Sequence, residues 1–162
     1  MTNLTRMSDH GRALLIQWEG FKPKQYLDSA GLPTIGVGHL ITPAERTSKQ
    51  IKIGTAIVST TATLTDAQVN TLLIQDLVRF ETAVTSFVVV DLKQNQYDAL
   101  VSFAFNLGTT TLKTSTLLKE LNARNYDAVP TQMRRFVNSD GHPVPGLVNR
   151  RENEVKLWLG TI

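Results

Sequence analysis

The sequence predicts an α+β fold that is mainly helical, with a small β-containing N-terminal lobe and a larger helical C-terminal lobe. Between about residues 20 and 42, Gly, Pro, Asp and Ser alternate with Tyr, Leu, Ile and Val, which is typical of short strands and hairpin turns. From residue 65 onward, apolar residues recur at helical spacing. We therefore expect one domain over 1–162, with a small lobe at about 20–64 and a helical lobe at about 65–162 that includes the first helix. A cleft between two such lobes is the natural ligand site.

The first helix is predicted to begin after Ser8, a favourable N-cap, and to end at Glu19, because Gly20 follows. Its inward face carries Leu14, Leu15 and Trp18. After the β region, residues 43–46 predict a short helical turn. The Thr-, Ile- and Val-rich stretch 51–63 allows no assignment.

A capping box formed by Thr65 and Gln68 predicts the start of a long helix that ends near Ser86. The most hydrophobic helix is expected over 93–107, with Gly108 at its C-terminal cap. Two shorter helices, a turn-rich loop and a last helix are expected at about 115–123, 126–136, 138–143 and 146–159.

Three polar residues, four apart, form a stripe on the hydrophobic helix: Asp98, Ser102 and Asn106. One interpretation is that this stripe faces solvent along an otherwise buried helix. The other is that only its end, at Phe105 and Asn106, opens onto a cleft.

Composition excludes some kinds of chemistry. The 162 residues include no cysteine, so the chain has neither a disulfide nor a thiolate nucleophile. The three histidines do not form a metal-binding pattern, and we expect no metal and no cofactor. The net charge of +3 favours adsorption to polyanions, including acidic cell-wall polymers, although it also suits an ordinary protein with surplus lysine.

The apolar run near the amino terminus covers only 13–16. A signal-peptide core or a membrane span needs a longer run. We therefore expect the protein to have no export signal of its own.

The most informative residues are Glu19, Asp28 and Thr34, which lie nine and then six positions apart in a helix end, a turn and a strand. Glycoside hydrolysis needs two carboxyl groups in different environments. A helix C-terminus between Trp18 and Phe21 favours a protonated Glu19, whereas a polar turn favours an ionised Asp28. Each residue alone also fits an ordinary surface, turn or strand position.

Two further charged residues are expected to point inward. Arg150 shares a helix face with leucines and needs a carboxylate partner, for which Glu19 and Glu154 are candidates. The alternative is a solvated pair of Arg150 and Arg151. Asp76 lies on an apolar helix face and is predicted to pair with His39, in an ion pair that joins the lobes.

The stretch 19–39 resembles the pattern of the phage-type lysozymes, the muramidase endolysins of tailed bacteriophages. The matching residues are Glu19, Gly20, Tyr26, Asp28, Gly31, Thr34, Ile35, Gly36, Gly38 and His39. Residues 96–108 and 145–158 resemble the family as well, whereas 51–63 does not. The resemblance implies a lysozyme-like two-lobed fold with a cleft.

The resemblance also implies hydrolysis of the β-1,4 bond between N-acetylmuramic acid and N-acetylglucosamine in peptidoglycan, with inversion. Glu19 would be the acid, and Asp28 and Thr34 would activate and hold water. Arg150 would pair with Glu19, and His39 with Asp76. The implied sugar-binding residues are Leu40, Phe105 and Asn106.

The same resemblance implies a monomer that is made in the host cytoplasm without a signal peptide. It would reach the cell wall through a separate membrane-permeabilising protein, without stable membrane insertion. Three alternatives remain open: a lytic transglycosylase, a non-catalytic wall-binding module, and a basic nucleic-acid binder suggested by the arginine pairs at 134–135 and 150–151. No known DNA-binding motif supports the last alternative.

Overall fold

A computed structural model describes residues 2–162 and confirms a mainly helical α+β fold. The chain forms two compact units, one of residues 13–78 and one of residues 2–12 together with 79–162. The limits of the units fall inside the first and third helices, whereas the sequence placed the lobe limits near 20 and 65. Each unit is described by itself below.

The unit of residues 13–78 contains the β-structure expected from its turn-rich sequence. Strands β1 (Lys22–Leu27), β2 (Pro33–Gly36) and β3 (His39–Leu40) form an antiparallel sheet in the order β1-β2-β3. The first helix, α1 (Asp9–Glu19), precedes them, and the short helix α2 (Pro43–Ser48) follows. Because β1 pairs with β2, the segment that follows α1 and the turn at residues 28–32 belong to the same small sheet.

A second hairpin occupies the stretch that the sequence left unassigned. Strand β4 (Gln50–Ile53) pairs with β5 (Ala56–Ser59), and Gly54, at φ 61°, makes the turn between them. Ile51 and Ile53 are buried while the residues between and before them are exposed, which is the alternation of a strand with one buried face.

The remaining elements are mostly helical, and their two short strands pair as a hairpin. They are α3 (Asp66–Phe87), α4 (Gln94–Leu107), α5 (Thr109–Thr114), α6 (Thr116–Asn122), a 3-10 turn (Tyr126–Ala128), α7 (Val129–Met133), β6 (Asn138–Ser139), β7 (His142–Pro143) and α8 (Pro145–Leu159). The sequence predicted all of the longer helices but missed α5. Helix α4 packs along α8 and is buried from Tyr97 to Ala104.

The helix ends follow the predicted signals. The Ser8 hydroxyl accepts a hydrogen bond from the Gly11 amide at 3.0 Å, and this caps α1. Thr65 and Gln68 exchange side-chain to backbone hydrogen bonds of 2.9 and 3.1 Å at the start of α3, as a capping box should. Gly108, at φ 95°, ends α4.

The predicted solvent-facing stripe on α4 is wrong for two of its three residues. Asp98 and Ser102 are buried, and only Asn106 is exposed. The Asp98 carboxylate accepts hydrogen bonds from the Ser8 amide at 3.0 Å and from the Ser8 hydroxyl. Partners from distant parts of the chain therefore replace the water that these side chains were expected to contact.

Candidate active site

Glu19 is the last residue of α1. Gly20 ends the helix with a φ of 87°, and its amide donates to the Ile16 carbonyl at 2.8 Å. This conformation favours glycine, so the residue pair at 19 and 20 fixes where the helix stops. The Glu19 side chain is half-buried at this point.

Asp28 lies in the turn between β1 and β2. Its backbone amide donates to the Leu32 carbonyl at 2.9 Å, and its carbonyl accepts from the Gly31 amide at 2.9 Å. Oδ1 of its carboxylate accepts from the amides of Ala30 and Leu32, both at 2.9 Å. The turn thus orients the carboxylate through one oxygen, and Oδ2 accepts no hydrogen bond from any residue between 2 and 162.

Thr34 lies on β2 directly opposite Tyr26 of β1 and Leu40 of β3. Directly opposed residues of an antiparallel sheet project to the same face. The Thr34 side chain is only 4% exposed, and its hydroxyl donates to the Leu32 carbonyl at 3.0 Å. The hydroxyl proton is therefore used in a hydrogen bond to the turn that contains Asp28, and the hydroxyl oxygen can still accept a hydrogen bond.

Tyr26 connects the two carboxylates electrostatically. Burial raises the pKa of Tyr26, and the negative charges of Glu19 and Asp28 raise it further. Both carboxylates thus act on one phenol, opposite Thr34 in the sheet. The sequence pointed to Tyr26 only as part of the family pattern, although its position two residues before Asp28 on a strand could have indicated it.

His39 contacts two carboxylates, of which the sequence predicted one. Its Nδ1 lies 2.8 Å from Oδ2 of Asp76, and its Nε2 lies 2.9 Å from Oε2 of Glu45. Burial lowers the pKa of His39, but the hydrogen bonds and charges of Asp76 and Glu45 outweigh that effect and raise it overall. Both partners belong to the same unit as His39.

Glu45 could have been found from the sequence. Thr42 and Glu45 have the spacing of a capping box, and they exchange hydrogen bonds of 2.9 and 3.1 Å at the start of α2. The same Oε2 atom that caps the helix also contacts His39. His39 is therefore tied to the first turn of α2 as well as to α3.

In the other unit, Arg150 and Arg151 are both buried, so the alternative of a solvated pair is wrong. Glu154, one of the two candidate partners, lies with its Oε2 3.3 Å from Nε of Arg150 and also pairs with Nη1 of Arg151. Ser102 donates to the same carboxylate at 2.6 Å. Burial raises the pKa of the Glu154 carboxyl, and the two arginines and Ser102 oppose that rise.

The expected sugar-binding residues are placed as follows. Leu40 is exposed on β3, and Asn106 is exposed near the end of α4. Phe105 packs on Phe80 with ring centroids 5.2 Å apart, and both line a groove of about 420 Å³ together with Arg79, Gly108, Thr109 and Thr110.

Within residues 2–162, no group of three or more His, Cys, Asp or Glu side chains is placed to hold a metal ion. None of the helices in this range has both the length and the apolar character needed to cross a membrane.

The mainly helical α+β fold is that of the lysozyme-type glycosidases. Comparison with known proteins agrees. The chain is 36% identical over 156 residues to the endolysin of Salmonella phage P22, covering 96% of this chain and 99% of the relative. It is 37% identical over 147 residues to the SAR-endolysin of Escherichia phage Mu, covering 91% of this chain and 77% of the relative.

Among solved structures, the endolysin from Escherichia coli O157:H7 phage FAHEc1 superimposes with a TM-score of 0.81 at 31% identity, covering 100% of this chain and 98% of that chain. The family model described as phage lysozyme matches residues 16–154. The chain belongs to the phage lysozyme family. It is a glycoside hydrolase with muramidase activity, and it acts as a phage endolysin on the host cell wall.

Proposed function

We propose that the chain hydrolyses the β-1,4 bond between N-acetylmuramic acid and N-acetylglucosamine of peptidoglycan by a single displacement that inverts the anomeric carbon. Glu19 donates the proton to the leaving oxygen, Asp28 takes a proton from water, and Thr34 holds that water. The observation that carries this proposal is the fixed turn around Asp28, with the Thr34 hydroxyl anchored to the same turn.

A general base needs a lone pair that is not already engaged in hydrogen bonds to the protein. Oδ1 of Asp28 is engaged by two backbone amides, while Oδ2 is available to accept from water. Because the amides come from the turn itself, the carboxylate keeps its orientation without help from other side chains.

Thr34 supplies the second acceptor. Its hydroxyl proton goes to the Leu32 carbonyl, so its oxygen can receive a proton from a water molecule. A water that donates to both Oδ2 of Asp28 and the Thr34 hydroxyl directs its own lone pair outward for attack. The small exposed area of Thr34 suits contact with one confined water.

Inversion follows from this use of water. An inverting pair of carboxyl groups is separated by roughly 6.5–9.5 Å so that water fits, whereas a retaining pair is roughly 5–5.5 Å apart. If Asp28 attacked the sugar directly, a residue that positions water would have no role in that step. Leu40, Phe105 and Asn106 are proposed to contact the sugars.

The test combines variants with product analysis. We expect Glu19→Gln and Asp28→Asn to lose activity by about 10²–10⁴-fold while they remain folded. Asp127→Asn, at an exposed position, removes a carboxylate outside the site and should retain full activity. Turbidity of permeabilised cells gives the rates, and circular dichroism checks the fold.

Proton NMR of a fresh digest should show the α-anomer as the first product, since the cleaved bond is β. A β-anomer would contradict inversion and make Asp28 a nucleophile. Anhydro ends in mass spectra would support a transglycosylase instead, and full activity of Glu19→Gln would overturn the role of the acid.

Two further points from the family resemblance are part of the proposal: the protein acts as a monomer, and a separate membrane-permeabilising protein gives it access to the wall. Sedimentation at enzymatic concentrations tests the first point. Expression with and without a permeabilising partner tests the second, and lysis without the partner would contradict it.

A further inference from the structure

We propose that buried Arg151 is a positioning residue that turns the amide of Asn106 so that its Nδ2 group faces outward and donates a hydrogen bond to an amide carbonyl of the substrate. The proposal rests on the proposed function, because it assigns chemistry to a residue expected to contact the glycan. It concerns substrate binding rather than the bond-breaking step.

The guanidinium of Arg151 is held from several directions. Its Nε donates to the Phe136 carbonyl at 3.0 Å, and its Nη1 pairs with Oε1 of Glu154. Its face lies 5.2 Å from the centre of the Phe103 ring. The side chain is fully buried, so these partners fix where Nη2 points.

Nη2 of Arg151 donates to Oδ1 of Asn106. A guanidinium has donors and no acceptor, so only the oxygen of the amide can face it. Turning the amide over would place an NH₂ group against N–H groups and leave buried donors without a partner. The orientation of the Asn106 amide is therefore set by Arg151 and not by the ligand.

As a consequence, Asn106 presents a donor to its surroundings. The side chain is exposed at the end of α4, and its Nδ2 makes no hydrogen bond to any of the residues 2–162. A group that can only donate selects an acceptor on the ligand. In peptidoglycan, an amide carbonyl is such an acceptor, and it is present both in the acetamido groups of the sugars and in the stem peptide.

The decisive variant is Asn106→Asp. It keeps an oxygen that faces Arg151 and replaces the outward NH₂ by a second oxygen, which repels a carbonyl. We expect KM to rise about tenfold with kcat within about twofold of wild type, and no loss of thermal stability. Asn149→Asp, also exposed and on α8, changes the net charge equally and should keep the wild-type KM.

If the only role of Asn106 is to accept from Arg151, Asn106→Asp will bind substrate as well as wild type. An unchanged KM would therefore overturn the proposal, and so would a loss confined to kcat. Arg151→Lys provides an additional test where it folds, because the weaker constraint on the amide should raise KM less than Asn106→Asp does.

Two substrates distinguish the source of the carbonyl. If the rise in KM persists on glycan strands from which an amidase has removed the peptides, the acceptor is an acetamido group. If the rise disappears on those strands, the acceptor is in the stem peptide.

A direct measurement uses the side-chain NH₂ signal of Asn106 in ¹⁵N NMR spectra. If the acceptor is an acetamido group, an N-acetylglucosamine oligomer should shift that signal. If the acceptor is in the stem peptide, neither the oligomer nor peptide-free glycan strands should shift it. A signal that moves with neither the oligomer nor intact muropeptide overturns the proposal.

Failure of this proposal and failure of the proposed function have different signatures. If Glu19→Gln is inactive and the first product is the α-anomer, the proposed function holds whatever Asn106→Asp does. An active Glu19→Gln would remove the proposed acid without changing the expected KM of Asn106→Asp.

Discussion

Gly11 lies where a single added methyl group would meet a buried carboxylate. A Cβ at this position would be 2.7 Å from both Cγ and Oδ2 of Asp98, closer than side chains pack. Asp98 cannot move easily, because it also accepts from the Ser8 amide and from Nε2 of Gln94, at 3.0 and 2.8 Å. The glycine is therefore required by packing, and its backbone has ordinary helical geometry.

We expect Gly11→Ala to lower the free energy of unfolding by about 1–3 kcal/mol. Gly146→Ala is the matched control, since it is also helical and a Cβ there would meet nothing within 4 Å. The control should be neutral or raise stability by up to about 1 kcal/mol. Urea unfolding measures both, and equal stability of the two variants would contradict this account.

For single residues, the sequence indicates which residues are functional candidates better than it predicts which side chains surround them in the fold. The resemblance marked Glu19, Asp28 and Thr34, and the structure places the last two around one turn. The sequence did not predict the burial of Arg151, because its partners Phe136 and Asn106 lie in other elements. Such partners depend on tertiary packing, which local spacing does not encode.

Among the elements, β3, α2 and α3 are joined by His39. Because the pKa of His39 is raised in the folded protein, the folded state binds the proton more tightly than the unfolded chain does. The resulting stabilisation is complete below the ordinary pKa of 6.5 and is lost as the pH rises through the raised value. The stabilisation comes from the contacts of the protonated imidazole with Asp76 and Glu45.

His39→Gln should therefore cost about 2 kcal/mol near pH 6 and progressively less as the pH rises through the raised pKa of His39. The exposed His142→Gln serves as control and should differ little from wild type throughout. Thermal unfolding across this range provides the data. A cost for His39→Gln that does not change with pH would mean that the imidazole acts by packing alone.

Helices α4 and α8 are joined by the buried carboxylate of Glu154, which serves two arginines and Ser102. Removing one partner of a buried charge cluster leaves the others without compensation. We expect Glu154→Gln to lose about 3–5 kcal/mol of stability. Glu152→Gln, two residues earlier, breaks the half-exposed pair with Arg134 and should change stability by less than about 1 kcal/mol.

Urea denaturation of the Glu154→Gln and Glu152→Gln variants tests the difference between them. If Glu154→Gln were as stable as wild type, the buried arginines would have other means of compensation. The expected gap of several kcal/mol is large compared with the error of such measurements.

Helices whose ends are marked by a capping box or a terminal glycine were predicted from the sequence. Elements that lack such markers were missed. The capping box at Thr65 and the glycine at 108 located α3 and α4. Helix α5 was missed because it begins with three threonines, whose β-branched side chains disfavour helices. The hairpin around Gly54 was missed because the apolar and polar residues of β5 do not alternate as clearly as those of β4.

For the whole molecule, the charge of +3 predicts a salt-dependent affinity for the wall. Adsorption of the Glu19→Gln variant, which we expect to leave the walls undigested, should weaken several-fold between about 50 mM and about 500 mM NaCl, because exposed charges are screened. Walls stripped of anionic polymers should show a smaller change. Adsorption that is independent of salt would mean that the glycan contacts alone provide the binding.

The division of the chain into units also differs from what composition suggests. The amino-acid composition changes near residues 20 and 65, but the boundaries of the compact units lie at 12–13 and 78–79, within continuous helices. Local composition reflects whether a segment is helix or strand, whereas the limits of a compact unit depend on tertiary packing. One long helix can therefore contribute residues to both units. The limits expected from sequence therefore described β content rather than packing.

The hydrogen bonds that hold the first residues have a consequence for synthesis on the ribosome. The Met7 amide donates to Glu81 at 2.9 Å, the Ser8 amide donates to Asp98, and Nε2 of Gln94 donates to the Arg6 carbonyl at 3.0 Å. These partners are translated more than seventy residues later, so the first segment of the nascent chain must wait for α3 and α4. Residues 13–78 form a compact unit of their own, whereas the first segment, which is made earliest, is among the last to find its hydrogen-bond partners.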